Sequence, residues 1–183
     1  MTDSPAGRVP RSTSSKKRPI APWSRFALWR QERFLREQAE VRAYLHAATP
    51  IGLRAEHLYK AWRETVEEPV QDGQKAANSS ATFWWRITEG LRRFQTLIPP
   101  EPARKYHRMF AEALKSGSLG ADAAKNGFRS GKTYEVSRGL GYLDDFLRQM
   151  HLAENELGRL VLKYKLLDEP TAEYEPEEPE PEA

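Results

Sequence analysis

The sequence predicts an all-α protein: a single compact helical domain of about six to seven helices, with disordered N- and C-terminal arms. Three observations carry this. Apolar residues recur at three- and four-residue spacing through the middle of the chain, as one buried helix face requires. No alternation long enough for a strand interrupts them. Both ends lose apolar residues, the first gaining Ser, Pro, Arg and Lys and the last Glu and Pro, compositions that cannot bury enough surface to order themselves. The expected boundaries are a basic arm with an aromatic docking segment over 1–29, a helical core over 30–168, and an acidic Glu/Pro tail over 169–183.

The elements follow in order. Residues 1–22 mix Ser, Pro, Arg and Lys with almost nothing to bury. Trp23, Phe26 and Trp29 come next at three-residue spacing, either the first turn of a core helix or an aromatic strip that docks in a groove on a neighbour. Phe34, Gln38, Val41, Leu45 and Ala48 share a helical face, and Thr49-Pro50 is expected to end that helix. A second helix opens at Gly52 and turns Leu58, Ala61, Trp62 and Val66 inward. Residues 70–77 are polar and predict a loop. Asn78, Ser79 or Ser80 is the expected cap of a third helix with Phe83, Ile87, Leu91 and Phe94 on one face. Pro99, Pro100 and Pro102 stop it and start a fourth, which carries Tyr106, Met109 or Phe110, and Leu114. Residues 116–120 form a Gly/Ser break, 121–125 a short helix and 126–131 a loop. A long helix over 132–150 buries Leu140, Leu143, Phe146, Leu147 and Met150, and a last one uses Leu157, Leu160, Val161 and Tyr164.

Charge is strongly polarised along the chain. Residues 1–36 hold nine Lys or Arg against Asp3 and Glu32, a net +7; residues 168–183 hold eight acids and no base. Ends of opposite sign suit different partners, or the two ends of neighbouring copies. The chain has no cysteine, which excludes disulfides, thiolate metal sites and a cysteine nucleophile. No apolar run approaches the roughly 18 residues that a membrane span needs.

Enzyme signatures are absent, and no catalytic residue, metal, cofactor or small-molecule substrate is expected. Gly131-Lys132-Thr133 matches the end of a phosphate-binding loop, but Asn126 stands where its first glycine belongs. His46, His57, His107 and His151 lack ligand spacing. Asp144-Asp145 and Glu154 with Glu156 fit solvated helix faces better than a catalytic pair. Cations interleaved with aromatics are more informative. Arg86, Arg92 and Arg93 lie near Trp84, Trp85 and Phe94, and Lys125, Arg129 and Lys132 surround Phe128 and Tyr134. Single-stranded nucleic acid sites use this mixture, since cations track phosphates while flat rings accept bases. A charged outer face on a helical domain is the alternative.

Three segments in register carry a resemblance. They are Gly90-Leu91-Arg92-Arg93-Phe94 followed by Pro99, Asn126-Gly127-Phe128-Arg129 with Lys132, and Tyr134-Glu135-Val136-Ser137-Arg138-Gly139-Leu140. In this order, across about 34–167, the chain resembles the coat proteins of flexuous filamentous plant RNA viruses of potexvirus, vitivirus and trichovirus type. The resemblance implies a capsid subunit that polymerises into an open helix and encapsidates single-stranded genomic RNA in a basic groove, located in the virion and, during assembly, in the host cytoplasm. It also implies that Arg92 faces phosphate while Glu135 holds and orients its guanidinium. Arg93, Lys125, Arg129, Lys132 and Arg138 would line the same groove, and Trp23, Phe26 and Trp29 would dock on an adjacent subunit. Glu135 departs from the family's Asp, and Arg138 adds a cation beside it. The expected partners are single-stranded RNA and further copies of the chain, with no membrane. The alternative is a cellular or phage helical adaptor that binds nucleic acid, such as a small subunit of an RNA-guided complex or a DNA-packaging factor.

Overall fold

A computed structural model describes residues 22–67 and 72–167, and every described element is helical. Residues 1–21 of the expected 1–29 arm and the whole expected 169–183 tail lie outside these residues, while 22–29 are helical. Four long helices replace the six to seven expected: α1 (Pro22–Val66), α2 (Gly73–Gln95), α3 (Arg104–Ser130) and α4 (Thr133–Tyr164), with a 3₁₀ turn at Glu101–Ala103. The chain divides into two units, residues 1–34 and 35–183.

The expected helix count is too high because helix continues through Pro50, through 116–120, and from the expected 132–150 helix into the expected last one, which are together α4. Pro50 lies inside α1, where it cannot donate to the carbonyl four residues back. Buried Val41, Tyr44, Leu45 and Ala48 before it, and Ala55, Trp62 and Val66 after it, keep both sides anchored to the same core. The expected break at 116–120 and residues 126–130 of the expected loop are continuous helix in α3, so the chain turns only at 131–132. Their glycines serve close approach. A Cβ on Gly120 would stand 2.9 Å from the Gly139 carbonyl oxygen of α4, and one on Gly139 would stand 2.7 Å from the Ala124 amide nitrogen. A Cβ on Gly127 would meet the Val136 amide nitrogen at 2.6 Å. Each glycine costs about 1 kcal/mol of helix propensity relative to alanine; here that cost is offset by an α3–α4 contact in which the two backbones touch. Gly131, at φ 66°, supplies the left-handed turn that ends α3.

The start of α2 also differs from expectation. Asp72 is the cap, its Oδ1 accepting from the Gln74 and Lys75 amides at 2.9 and 3.3 Å. Ser80 lies two turns into the helix, buried, where Trp62 Nε1 donates to its Oγ at 2.9 Å while that hydroxyl donates to the Ala76 carbonyl. A polar residue expected as a cap thus satisfies a buried indole.

Within residues 35–167 the helices run up and down. Gly73 opens α2 beside Phe128 near the end of α3, and Phe94 closes it against His107 and Phe110 near the start. Gly117 of α3 meets Phe146 of α4, while Lys105 bonds Glu156, so α3 and α4 are also antiparallel. Gln38 Nε2 donates to the Tyr164 carbonyl at 2.6 Å, which sets the end of α4 against this part of α1. The core holds two aromatic clusters: Tyr59, Trp62, Phe83 and Phe146, and Tyr44, Phe94, Tyr106, His107 and Phe110. Glu156 is buried, and its carboxyl is held below the ordinary carboxylate range by hydrogen bonds from Arg159 and Lys105, against the opposing effect of burial.

Residues 22–34 continue the helical backbone. Phe26 and Trp29 stack with centroids 6.0 Å apart, Arg30 lies 4.8 Å over the Phe26 ring, and both rings are half-exposed. The side chain of Trp23 lies outside the described residues.

Candidate nucleic-acid interface

The up-and-down order separates the residues expected to share one groove. Arg92 and Arg93 occupy the last turn of α2. Glu135 occupies the first turn of α4. Between them runs α3: Phe94 packs on His107, Gly127 abuts Val136, and the twenty helical steps from 107 to 127 span about 30 Å at 1.5 Å each. The expected Arg92–Glu135 pair therefore does not form. Arg92 is 79% exposed and its Nε lies 3.8 Å from Glu89. Glu135 instead faces Arg138 at 2.7 Å, one turn along its own helix. That approach is an ion pair without hydrogen-bond alignment, and the same Glu135 oxygen is buried with no hydrogen-bond partner. As an acid in the first turn of α4, Glu135 also favours the helix dipole.

Lys125 is likewise removed from a phosphate-facing role. Its ammonium sits 4.0 Å over the Trp84 ring and 2.6 Å from Asp122, and its side chain is only 14% exposed. Cation–π contact and ion pairing account for it within the bundle. Arg129, Lys132 and Arg138 remain exposed at the α3–α4 turn, away from Arg92 and Arg93. The structure thus brings together Arg92 with Arg93 at one end, and Arg129, Lys132, Glu135 and Arg138 near the other.

A different concavity emerges between α1 and α2. A cavity of about 260 Å³ opens to solvent there, floored by Ile51, Ala55, Leu58, Ile87 and Leu114. Arg54, Arg86 and Arg93 line it, and among the described lining residues Glu89 is the one acid. Glu89 is a positioning group, its Oε1 accepting from Arg93 Nε at 3.0 Å and its Oε2 lying near Arg92. Trp85 is 55% exposed on the rim, with the Arg86 guanidinium 4.8 Å from its ring centroid.

Each part has a local cause. On α2, Phe83, Ile87 and Phe94 face the core, which turns Trp85, Arg86, Arg92 and Arg93 outward. The spacing of Glu89 with Arg92 and Arg93 places all three on one stripe. At Gly90 a Cβ would lie 3.7 Å from Ile51, an ordinary contact, so the α1–α2 spacing does not depend on glycine there. Arg54 has no signal in the sequence, because nothing local to α1 ties it to α2; Trp85 and Arg86 are visible as a cation–aromatic mixture. The groove offers a flat ring, several guanidinium groups and an apolar floor, the side-chain types that stacking on a base and pairing with phosphates require.

Fold and groove together define an all-α antiparallel bundle with a cation-lined concave surface. No protein-family model, curated protein or solved structure matches the chain. Among the described residues, no helix is long and apolar enough to cross a membrane, and no group of His, Asp or Glu is placed to hold a metal ion.

Proposed function

We propose that this protein is a non-enzymatic RNA-binding subunit that takes single-stranded RNA into the α1–α2 groove and coats it in many copies, as a capsid protein does. One observation carries the reading: Trp85 presents a half-exposed ring, backed by Arg86, on the rim of a groove that Arg54 and Arg93 also line. Stacking is tolerant of sequence and so are phosphate contacts, which suits a protein that must accept any stretch of RNA.

The length of the groove supports repetition. From Trp85 to Arg93 the helix advances about 12 Å, enough for about three or four nucleotides at roughly 3.4 Å each. So short a site binds firmly only when many copies act along one strand. The exposed Phe26–Trp29 face of the N-terminal helix is the contact we assign between copies, and a head-to-tail contact of this kind produces an open helix when it does not close.

The test is fluorescence anisotropy of a labelled oligouridine titrated with the full chain, paired with negative-stain imaging of the same mixtures. The reading expects binding that weakens with salt, at a log–log slope of about −2 if three phosphates contribute roughly 0.7 each, and filaments that require RNA. Absence of binding at low salt overturns it. RNA-bound particles of fixed small size would instead favour an adaptor.

A further inference from the structure

The groove's cations have a counterpart of opposite charge within the same sequence. Residues 168–183 carry Asp168, Glu169, Glu173, Glu175, Glu177, Glu178, Glu180 and Glu182, and no Lys or Arg. The fold determines where this segment starts. Tyr164, in the last turn of α4, accepts at its carbonyl from Gln38 and donates its hydroxyl to Glu37 of α1. One to two turns further along α1, Tyr44 bonds His107, which stacks on Phe94 at the end of α2. The acidic segment therefore leaves the bundle at the end where α2 terminates in Arg92 and Arg93.

Reach is sufficient. Sixteen residues extend up to about 50 Å. Crossing from α4 to the α1–α2 groove takes about two helix spacings, roughly 20 Å, and descending α2 from Gln95 to Trp85 takes about 15 Å more. The Arg54, Arg86, Arg92 and Arg93 side chains on or beside the groove match the sign and spread of the segment's carboxylates, with Glu89 the opposing acid among the described lining residues.

We propose that residues 168–183 of the chain lie in its own α1–α2 groove and compete there with nucleic acid. The competition rests on the RNA-binding reading of the groove; the docking rests on charge and placement alone. The segment acts as a tethered polyanion at an effective concentration in the millimolar range, so only a multivalent anion such as a long single strand displaces it. Isolated short anions are excluded. The device gives a basic protein selectivity for length.

The test uses the full chain with Glu173, Glu175, Glu177, Glu178, Glu180 and Glu182 all replaced by Gln. Two signals are read: the Trp85 indole N–H resonance, assigned by its loss in Trp85→Phe, and the affinity for oligouridine. Neutralising the segment is expected to shift the Trp85 resonance at low salt, and to tighten oligouridine binding about tenfold, with the gain shrinking as salt rises. A Trp85 resonance that ignores the six substitutions overturns the proposal, even if oligouridine binds. A shift seen only on raising the protein concentration also overturns it, since the occupant is then another copy's segment. If the resonance shifts but neither chain binds oligouridine, the docking stands and the RNA reading falls.

Discussion

Arg86 lays its guanidinium 4.8 Å from the centroid of the ring of Trp85, its neighbour on the outward face of α2. This contact braces a half-exposed indole that, with Arg86, lines the groove. Trp85 contributes little to the core, so its removal separates binding from folding. Trp85→Ala is expected to weaken oligouridine binding about tenfold, as removal of one stacked base at roughly 1–3 kcal/mol implies, while the melting temperature stays within about 2 °C. A matched drop in stability would assign the ring to packing instead.

The α3–α4 contact makes a sharper prediction for stability. Gly139→Ala would drive a methyl into the Ala124 backbone and the Gly120 carbonyl, neither of which can rotate away. A cost of about 3 kcal/mol is expected, at the upper end for overpacking. Gly141→Ala and Gly158→Ala meet open space on the same helix. Each should stabilise by about 0.5–1 kcal/mol through helix propensity. Urea denaturation of the three variants checks the signs.

This contact also explains which parts of the fold are legible in the sequence. Spacing alone places Val41, Phe83, Ile87, Phe94, Leu143 and Phe146 in the core, and all are buried. Leu140 is expected inside and is 44% exposed, because Gly139 takes the crossing point beside it. Gly117, Gly120 and Gly127 look like breakers because the reason for a helical glycine lies on another helix. The same limit applies to the site. Glu89 with Arg92 and Arg93 is a local pattern, whereas partnering Arg92 with Glu135 depends on a third dimension, and α3 holds the two apart.

His107 supplies a pH dependence. Its Nδ1 lies 2.9 Å from the Tyr44 hydroxyl and its ring stacks on Phe94 at 4.5 Å. Burial lowers its pKa below the ordinary value, and burial raises that of Tyr44, so the pair holds together with imidazole neutral and phenol protonated. A histidine lowered in the fold contributes stability that is complete above its unfolded value near 6.5 and is lost as pH falls from there toward the folded value. The melting temperature is expected to drop as pH falls below about 6.5, and His107→Phe should flatten that portion. Glu156, held low by Arg159 and Lys105, acts in a separate window: its contribution is present above the unfolded carboxylate value and disappears on further acidification. An unchanged slope in His107→Phe would contradict the assignment.

The central claim is that RNA enters between α1 and α2. It is tested most directly by comparing Arg93→Ala with Arg129→Ala, two exposed arginines about 30 Å apart along the bundle. Oligouridine affinity is measured across a salt series for each. Arg93→Ala should reduce affinity several-fold and flatten the log–log salt slope by about 0.7, the share of a single phosphate, while Arg129→Ala leaves the slope intact. The reverse pattern would move the RNA to the α3–α4 turn and contradict the account.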